Sequence, residues 1–186
     1  MTIALLSHTG LASVSFRMVN TNAVSESPFT GVQQVQGYAR QRWEADVSLP
    51  PMKKTDAVKW IAWLASLRGR YGTFTLGDPM STSPAGTAVS ATVTGDAGDD
   101  ALTVVMTGTL LAGDYVQIGT GLHIVLNDQS GNGTLNIWPA LRASVSAVSV
   151  TLTDTVGVFR MMSDDQGWSV NSASVYGIQF TAMEAF

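Results

Sequence analysis

The chain has no cysteine and only two histidines, His8 and His123, in 186 residues. Disulfides, thiolate metal sites and cysteine nucleophiles are excluded together. Neither imidazole has a companion at ligand or acid/base spacing. His8 falls in a poorly patterned N-terminus and His123 faces opposite Leu122 and Ile124 on an expected strand, so both are read as structural or surface groups. Charge is scarce too, at 13% of residues, roughly half the usual share. With 45% apolar residues the chain has enough hydrophobicity to fold. No apolar run approaches the roughly 20 residues that cross a bilayer, and MTIALLSH is too short and lacks the basic start of a secretory signal. The expectation is a soluble protein without membrane insertion.

The few charges are unevenly distributed. Residues 37–72 hold seven bases (Arg40, Arg42, Lys53, Lys54, Lys59, Arg68, Arg70) against Glu44, Asp46 and Asp56, whereas residues 78–156 hold seven acids against Arg142 alone. A surface this poor in Lys and Glu is expected to be covered by another chain, with charges at the rim setting register between copies. The candidate subunit contacts are Arg40, Arg42, Lys53, Lys54, Arg68 and Arg70 from the basic stretch and Asp99 and Asp100 from the acidic one. Trp63, off the main helical stripe, and Phe186, at an apolar terminus, complete the set.

Period-two alternation dominates the pattern. Val14, Phe16 and Met18 alternate with polar residues, FTGVQQVQ (29–36) reads as a weaker strand after the polar segment 20–28, and Trp43, Ala45, Val47 and Leu49 form the clearest outer strand, ended by Pro50-Pro51. A single helix is expected over 56–68, capped by Thr55 or Asp56 and stopped by Gly69, with Trp60, Ile61, Leu64 and Leu67 on one face. Residues 72–76 are a further strand. From Ala88 onward six short runs follow, Val89–Val93, Leu102–Met106, Val116–Ile118, Leu122–Leu126, Leu135–Ile137 and Val148–Leu152, separated by glycine and aspartate turns. The outer pattern resumes at Phe159 and Met161, continues at Trp168 and Val170, and ends with Tyr176, Ile178, Phe180 and Ala182. The expected fold is mainly β: an antiparallel β-sandwich with one flanking helix (residues 1–77 plus 157–186), interrupted by a small all-β barrel or sandwich (78–156).

Catalytic patterns are not met. Asp99-Asp100 and Asp164-Asp165 are adjacent turn residues that point apart. DQSGNG at 128–133 alternates oxygen-bearing residues but lacks the combination of a sixth-position glycine with a twelfth-position glutamate that marks a calcium loop, and strands rather than helices are expected to flank it. GTGL and AGDY do not open a helix after a strand, as phosphate loops must. No enzyme activity, cofactor or metal is expected.

Two stretches together carry a resemblance. RWEADVSLPPMKKTDAVKWIAWLASLRGRYGTFTLGDP joins a tryptophan-bearing strand, a Pro-Pro break, an amphipathic helix and a Gly-Phe strand running into Asp-Pro; LLAGDYVQIGTGLHIVLNDQSGNGTLNIWPALR is similar to an inserted module. The pattern resembles the distal tail proteins at the tail tip of long-tailed, siphophage-type bacteriophages. The resemblance implies a tube-like β-sandwich forming a hexameric ring between the tail-tube protein and the tip hub protein. It also implies a place in the virion tail, after assembly in the host cytoplasm, and a lumen through which DNA slides without specific binding. Bases are then expected to avoid the bore and to sit in subunit contacts. The alternatives are a tail-tube subunit, for which segment 20–28 is the only bridging loop available, and a carbohydrate-binding adhesin module using Trp138 and Tyr115.

Overall fold

The computed structural model describes residues 2–3 and 11–186. His8 lies outside the described residues. The fold is mainly β with one helix and a closed six-stranded barrel, in line with the sequence expectation.

The outer part begins with β1 (Thr2–Ile3), β2 (Ser13–Glu26), β3 (Gln33–Ser48) and β4 (Met52–Lys53), which leads into α1 (Lys54–Leu67) and then β5 (Thr73–Leu76). It is completed after the insert by β14 (Gly157–Met161), β15 (Trp168–Val170) and β16 (Val175–Glu184). The sheet order is β1-β5-β14-β16-β3-β2, with β4 and β15 both pairing with the first residues of β16. All pairs are antiparallel except β1 with β5.

Residues directly opposite one another in such a ladder share a face, and the register therefore sorts the sheet. Phe16, Trp43, Ala45, Phe180, Ala182, Phe159 and Phe74 fall on one side, and this side is covered. Helix α1 lays Ala57, Trp60, Trp63, Leu64 and Leu67 over one end of it; Trp63 meets Phe74 at 5.2 Å and Phe180 at 5.7 Å between ring centroids. The opposite side carries Ser15, Arg17, Asp46, Gln179, Thr181 and Arg160 and stays open to solvent or half-buried, except for Glu44.

The inserted barrel consists of β6 (Ser90–Gly95), β7 (Ala101–Thr107), β9 (Tyr115–Ile118), β10 (Gly121–Val125), β12 (Gly133–Trp138) and β13 (Val145–Thr151), closed in the order β10-β12-β7-β6-β13-β9. Two short strands, β8 (Thr109–Leu110) and β11 (Gln129–Ser130), pair beside it. Its six strands coincide with the six alternating runs read from the sequence. Its own core includes Val93, Leu102, Val104, Leu110, Val116, Leu135 and Ile137.

The chain leaves for the barrel after β5 and returns into β14, and these strands are partners, with Leu76 opposite Gly157. A methyl group at Gly77 would run into the Thr155 carbonyl oxygen on the returning segment. Gly77→Ala is expected to destabilise the protein by about 1–3 kcal/mol, read from the midpoint of a denaturant titration; a change within about 0.5 kcal/mol, the range of ordinary surface substitutions, would mean the junction has slack.

Three local expectations are corrected. The helix starts two residues before 56, because β4 pairs with β16 and delivers Lys53 as an extended N-cap without a side-chain cap bond. Thr55 and Asp56 lie in the first turn, where the Asp56 carboxylate suits the positive helix end. At the other end the helix stops at Arg68, itself left-handed at φ 52, one residue before Gly69. Segment 20–28 is no loop, and residues 29–32 belong to a turn rather than a strand: β2 and β3 are the two legs of one long hairpin, turning over 27–32.

Candidate functional site

Beyond Thr21 the β2–β3 hairpin leaves the body of the protein. Its ladder continues from Thr21 opposite Tyr38 to Glu26 opposite Gln33, and every residue from 22 to 38 except Ser27 is exposed. The turn holds itself together through Gly31 N–H to the Ser27 carbonyl (2.9 Å) and Ser27 N–H to the Val32 carbonyl (3.0 Å), with Gly31 at φ 66 where a side chain is disfavoured. This arm carries a single charge, Glu26, which accepts a hydrogen bond from Gln33 Nε2 at 3.0 Å. Val24, Val32, Val35 and Tyr38 are exposed, and Phe29 at the tip is 95% exposed. A two-stranded ribbon is marginal in water on its own.

The angle of the arm is set at its base. Opposite Val19 stands Arg42, but opposite Thr21 stands Tyr38, so residues 39–41 bulge against Asn20 alone; bulges of this kind bend a strand and sharpen its twist. The barrel grips this point. Trp138 Nε1–H donates to Asn20 Oδ1 (2.9 Å), Ala140 N–H donates to Gln41 Oε1 (2.9 Å), and Arg142 Nη2 donates to the Gln41 carbonyl.

Behind the clasp lies a shared aromatic seam. Trp43 packs edge-on to Trp138 at 4.7 Å and to Phe16 at 5.9 Å, and meets Tyr115 at 5.9 Å. Its indole N–H donates to the Leu122 carbonyl at 2.8 Å. Its backbone N–H donates to Glu184 Oε2 at 3.1 Å. Glu184 is buried, and burial pushes its carboxyl above the usual value against the opposing pull of the Trp43 N–H and Arg142. Arg142 lies 3.7 Å from Glu184 and stacks over the Phe186 ring at 4.2 Å. His123 sits in the same seam, 2% exposed, with Nδ1 2.7 Å from the Pro139 carbonyl. Burial lowers its pKa to about 4, with Arg142 adding to the drop and the Pro139 contact opposing it. It is a neutral structural imidazole.

The expected contact residues have mixed fates. Arg40, Lys53, Lys54 and Arg68 are exposed and make no ion pair among the described residues. Arg42 is held by Glu44 at 2.9 Å. Arg70 is fastened to the loop after β14, its backbone N–H on Asp164 and its Nε on the Met162 carbonyl. Trp63 is corrected outright: it is 5% exposed, wedged among Trp60, Phe74 and Phe180, and presents nothing to a partner. Asp99 and Asp100 are exposed, although Asp99 Oδ2 already accepts the Asp96 N–H at 2.8 Å. Phe186 is 72% exposed apart from its contact with Arg142.

The residues raised as possible chemistry are occupied in the fold. Asp128 Oδ1 accepts the Ala112 N–H and Asn132 Oδ1 the Met106 N–H. Among the described residues no three His, Asp or Glu side chains cluster at metal-binding distance. Trp138 is 8% exposed and fills the seam, so it offers no flat platform to a sugar. Among the described residues no helix is long and apolar enough to cross a membrane.

No protein-family model matches this chain, and no curated protein sequence matches it. The sequence reading missed the arm, and the clasp residues Asn20, Gln41 and Arg142 with it. The one available signal was the break in alternation after Met18, where the bulge shifts the register.

Proposed function

We propose that this chain is a structural virion protein that assembles into a ring at the distal end of a long-tailed phage tail, joining tube to tip hub. The observation that carries the reading is the arm: a hairpin with a single charge, exposed apolar side chains and, among the described residues, an unpaired outer edge on β2 suits completion by another protein chain. The uncovered sheet face supports it. That face is rich in Ser, Thr and Gln, and its Arg17 guanidinium lies 3.5 Å from Glu44 and 3.6 Å from Asp46. Arg42 shares this face, 2.9 Å from Glu44, so Arg17, Arg42 and Arg160 stand against two carboxylates and the face carries little net charge. Hexameric copy number, the tube and hub neighbours and passage of DNA all rest on the resemblance.

One observation favours a second reading, a tail-tube subunit. Such a subunit needs a bridging element between stacked rings, and the arm is far longer than the loop expected at 20–28. An adhesin role loses support from the burial of Trp138.

Negative-stain microscopy of the purified protein separates these. Discrete single rings are the expected result, extended tubes favour the tube subunit, and unassembled particles at high concentration contradict both. A glycan-array signal abolished by Trp138→Ala would revive the adhesin.

A further inference from the structure

The arm has a counterpart on the far side of the same molecule. Between α1 and β15 lies a groove of about 340 Å³ with Ile61, Leu64 and Ala65 along the helix and Trp168 on the strand. Trp168 is 51% exposed and Val170, two residues on and therefore on the same face, is 57% exposed. Among the described residues strand β15 pairs with β16 only, which leaves its outer edge open there. Two large apolar side chains on a short edge strand mark a surface that another chain covers.

The arm of the same molecule does not fill this groove, because the register puts the two at opposite ends of the sheet. β15 pairs with residues 176–178 of β16, next to Gln179, whose partner is Ser48 at the end of β3. The arm tip lies beyond Gln33, at the other end of β3, and fifteen strand steps at about 3.3 Å separate the ends by roughly 50 Å.

We propose that the arm of one copy seats Phe29 in the α1–β15 groove of the next copy. The inference rests on the self-assembly reading and names its contact. A closed ring needs two different, complementary patches on every copy, and these two are matched in character. The arm brings one charge, already hydrogen-bonded to Gln33. The groove is apolar inside and carries one charge of each sign at its rim, Arg68 and Asp164. It therefore offers no net field to a polyanion and suits a neutral, apolar guest such as Phe29. The open edges of β2 and β15 allow main-chain pairing beside the anchored ring. Head-to-tail contact of this kind closes into a ring where the rotation between copies divides a full turn, and otherwise runs on as a filament.

The absence of cysteine makes the test clean. Full-length chains carrying Thr30→Cys, beside the Phe29 knob, are mixed with chains carrying Ala65→Cys in the groove, under mild oxidation. Disulfide-linked heterodimers are the expected product, whereas Thr30→Cys mixed with Asp99→Cys, on the barrel, gives none. In parallel, Phe29→Asp is expected to weaken assembly about tenfold or more, with an unchanged circular dichroism spectrum because Phe29 is 95% exposed. Trp168→Ala is expected to weaken it in the same direction. If Phe29→Asp assembles like the wild type and Thr30→Cys fails to link to Ala65→Cys, this contact is wrong while self-assembly stands. If the wild-type chain itself stays monomeric, both fall.

Discussion

Trp43→Ala is expected to cost roughly 3–5 kcal/mol, the range for removing a fully buried large aromatic, against a total stability of about 5–15 kcal/mol for a typical protein. Trp43 is 1% exposed and joins the two parts of the molecule through its contacts with Phe16, Tyr115 and Trp138. Removing it opens a cavity in the seam, leaves the Leu122 carbonyl without its indole donor, and loosens the packing behind the clasp at Asn20 and Gln41. The barrel has a separate core. The substitution should therefore split one denaturation transition into two, the barrel outlasting the sheet. Trp43→Phe keeps most of the ring packing and should cost much less. A single unshifted transition in Trp43→Ala would mean that the barrel is not mechanically coupled to the sheet.

The second large effect is acid destabilisation through His123. Its pKa falls from 6.5 to about 4 in the folded protein, so the unfolded chain takes up the proton first as the pH drops. Stability is unaffected above pH 6.5 and is lost as the pH falls through that value to about 4. A shift of this size corresponds to about 3 kcal/mol. Glu184 acts in the opposite sense. Its raised pKa lets the folded chain bind a proton before the unfolded one, so it adds stability as the pH falls through the window above the usual carboxylate value. Denaturant titrations at pH 7 and pH 4.5 should show a net loss in the wild type. His123→Asn, which stays neutral, should remove most of it. A His123 imidazole that titrates above pH 6 by NMR would contradict the burial argument.

Legibility in the sequence followed burial. The barrel strands could be read because each buries one face in a core, which forces alternation such as Leu102-Val104-Met106. The strand around Trp43 was legible for the same reason. The helix was read to within two residues, its start obscured because β4 feeds it without a capping side chain. Trp63 is buried although it lies off the main helical stripe, because its ring packs against both Phe74 and Phe180, which widens the buried face beyond one stripe. The arm was legible only at residues 33–36, part of its β3 leg, because both of its faces meet solvent within one chain. Nothing then selects apolar residues at period two, and NTNAVSESP reads as a loop although it is mostly strand. What marked its base was the break in alternation after Met18, where the bulge shifts the register.

The seam ties the inserted module to the base of the proposed assembly arm. The barrel hydrogen-bonds to the residues around the hairpin bulge, through Trp138, Ala140 and Arg142. It thereby fixes the direction in which the arm leaves the body. In a head-to-tail assembly that direction sets the rotation between neighbouring copies, and with it closure.

The most direct test of the central claim is the mass of the purified wild-type protein by native mass spectrometry across a range of concentrations. The account predicts a single closed species with a fixed number of copies, six if the resemblance holds, growing at the expense of monomer as concentration rises. A protein that remains monomeric at every concentration would contradict it.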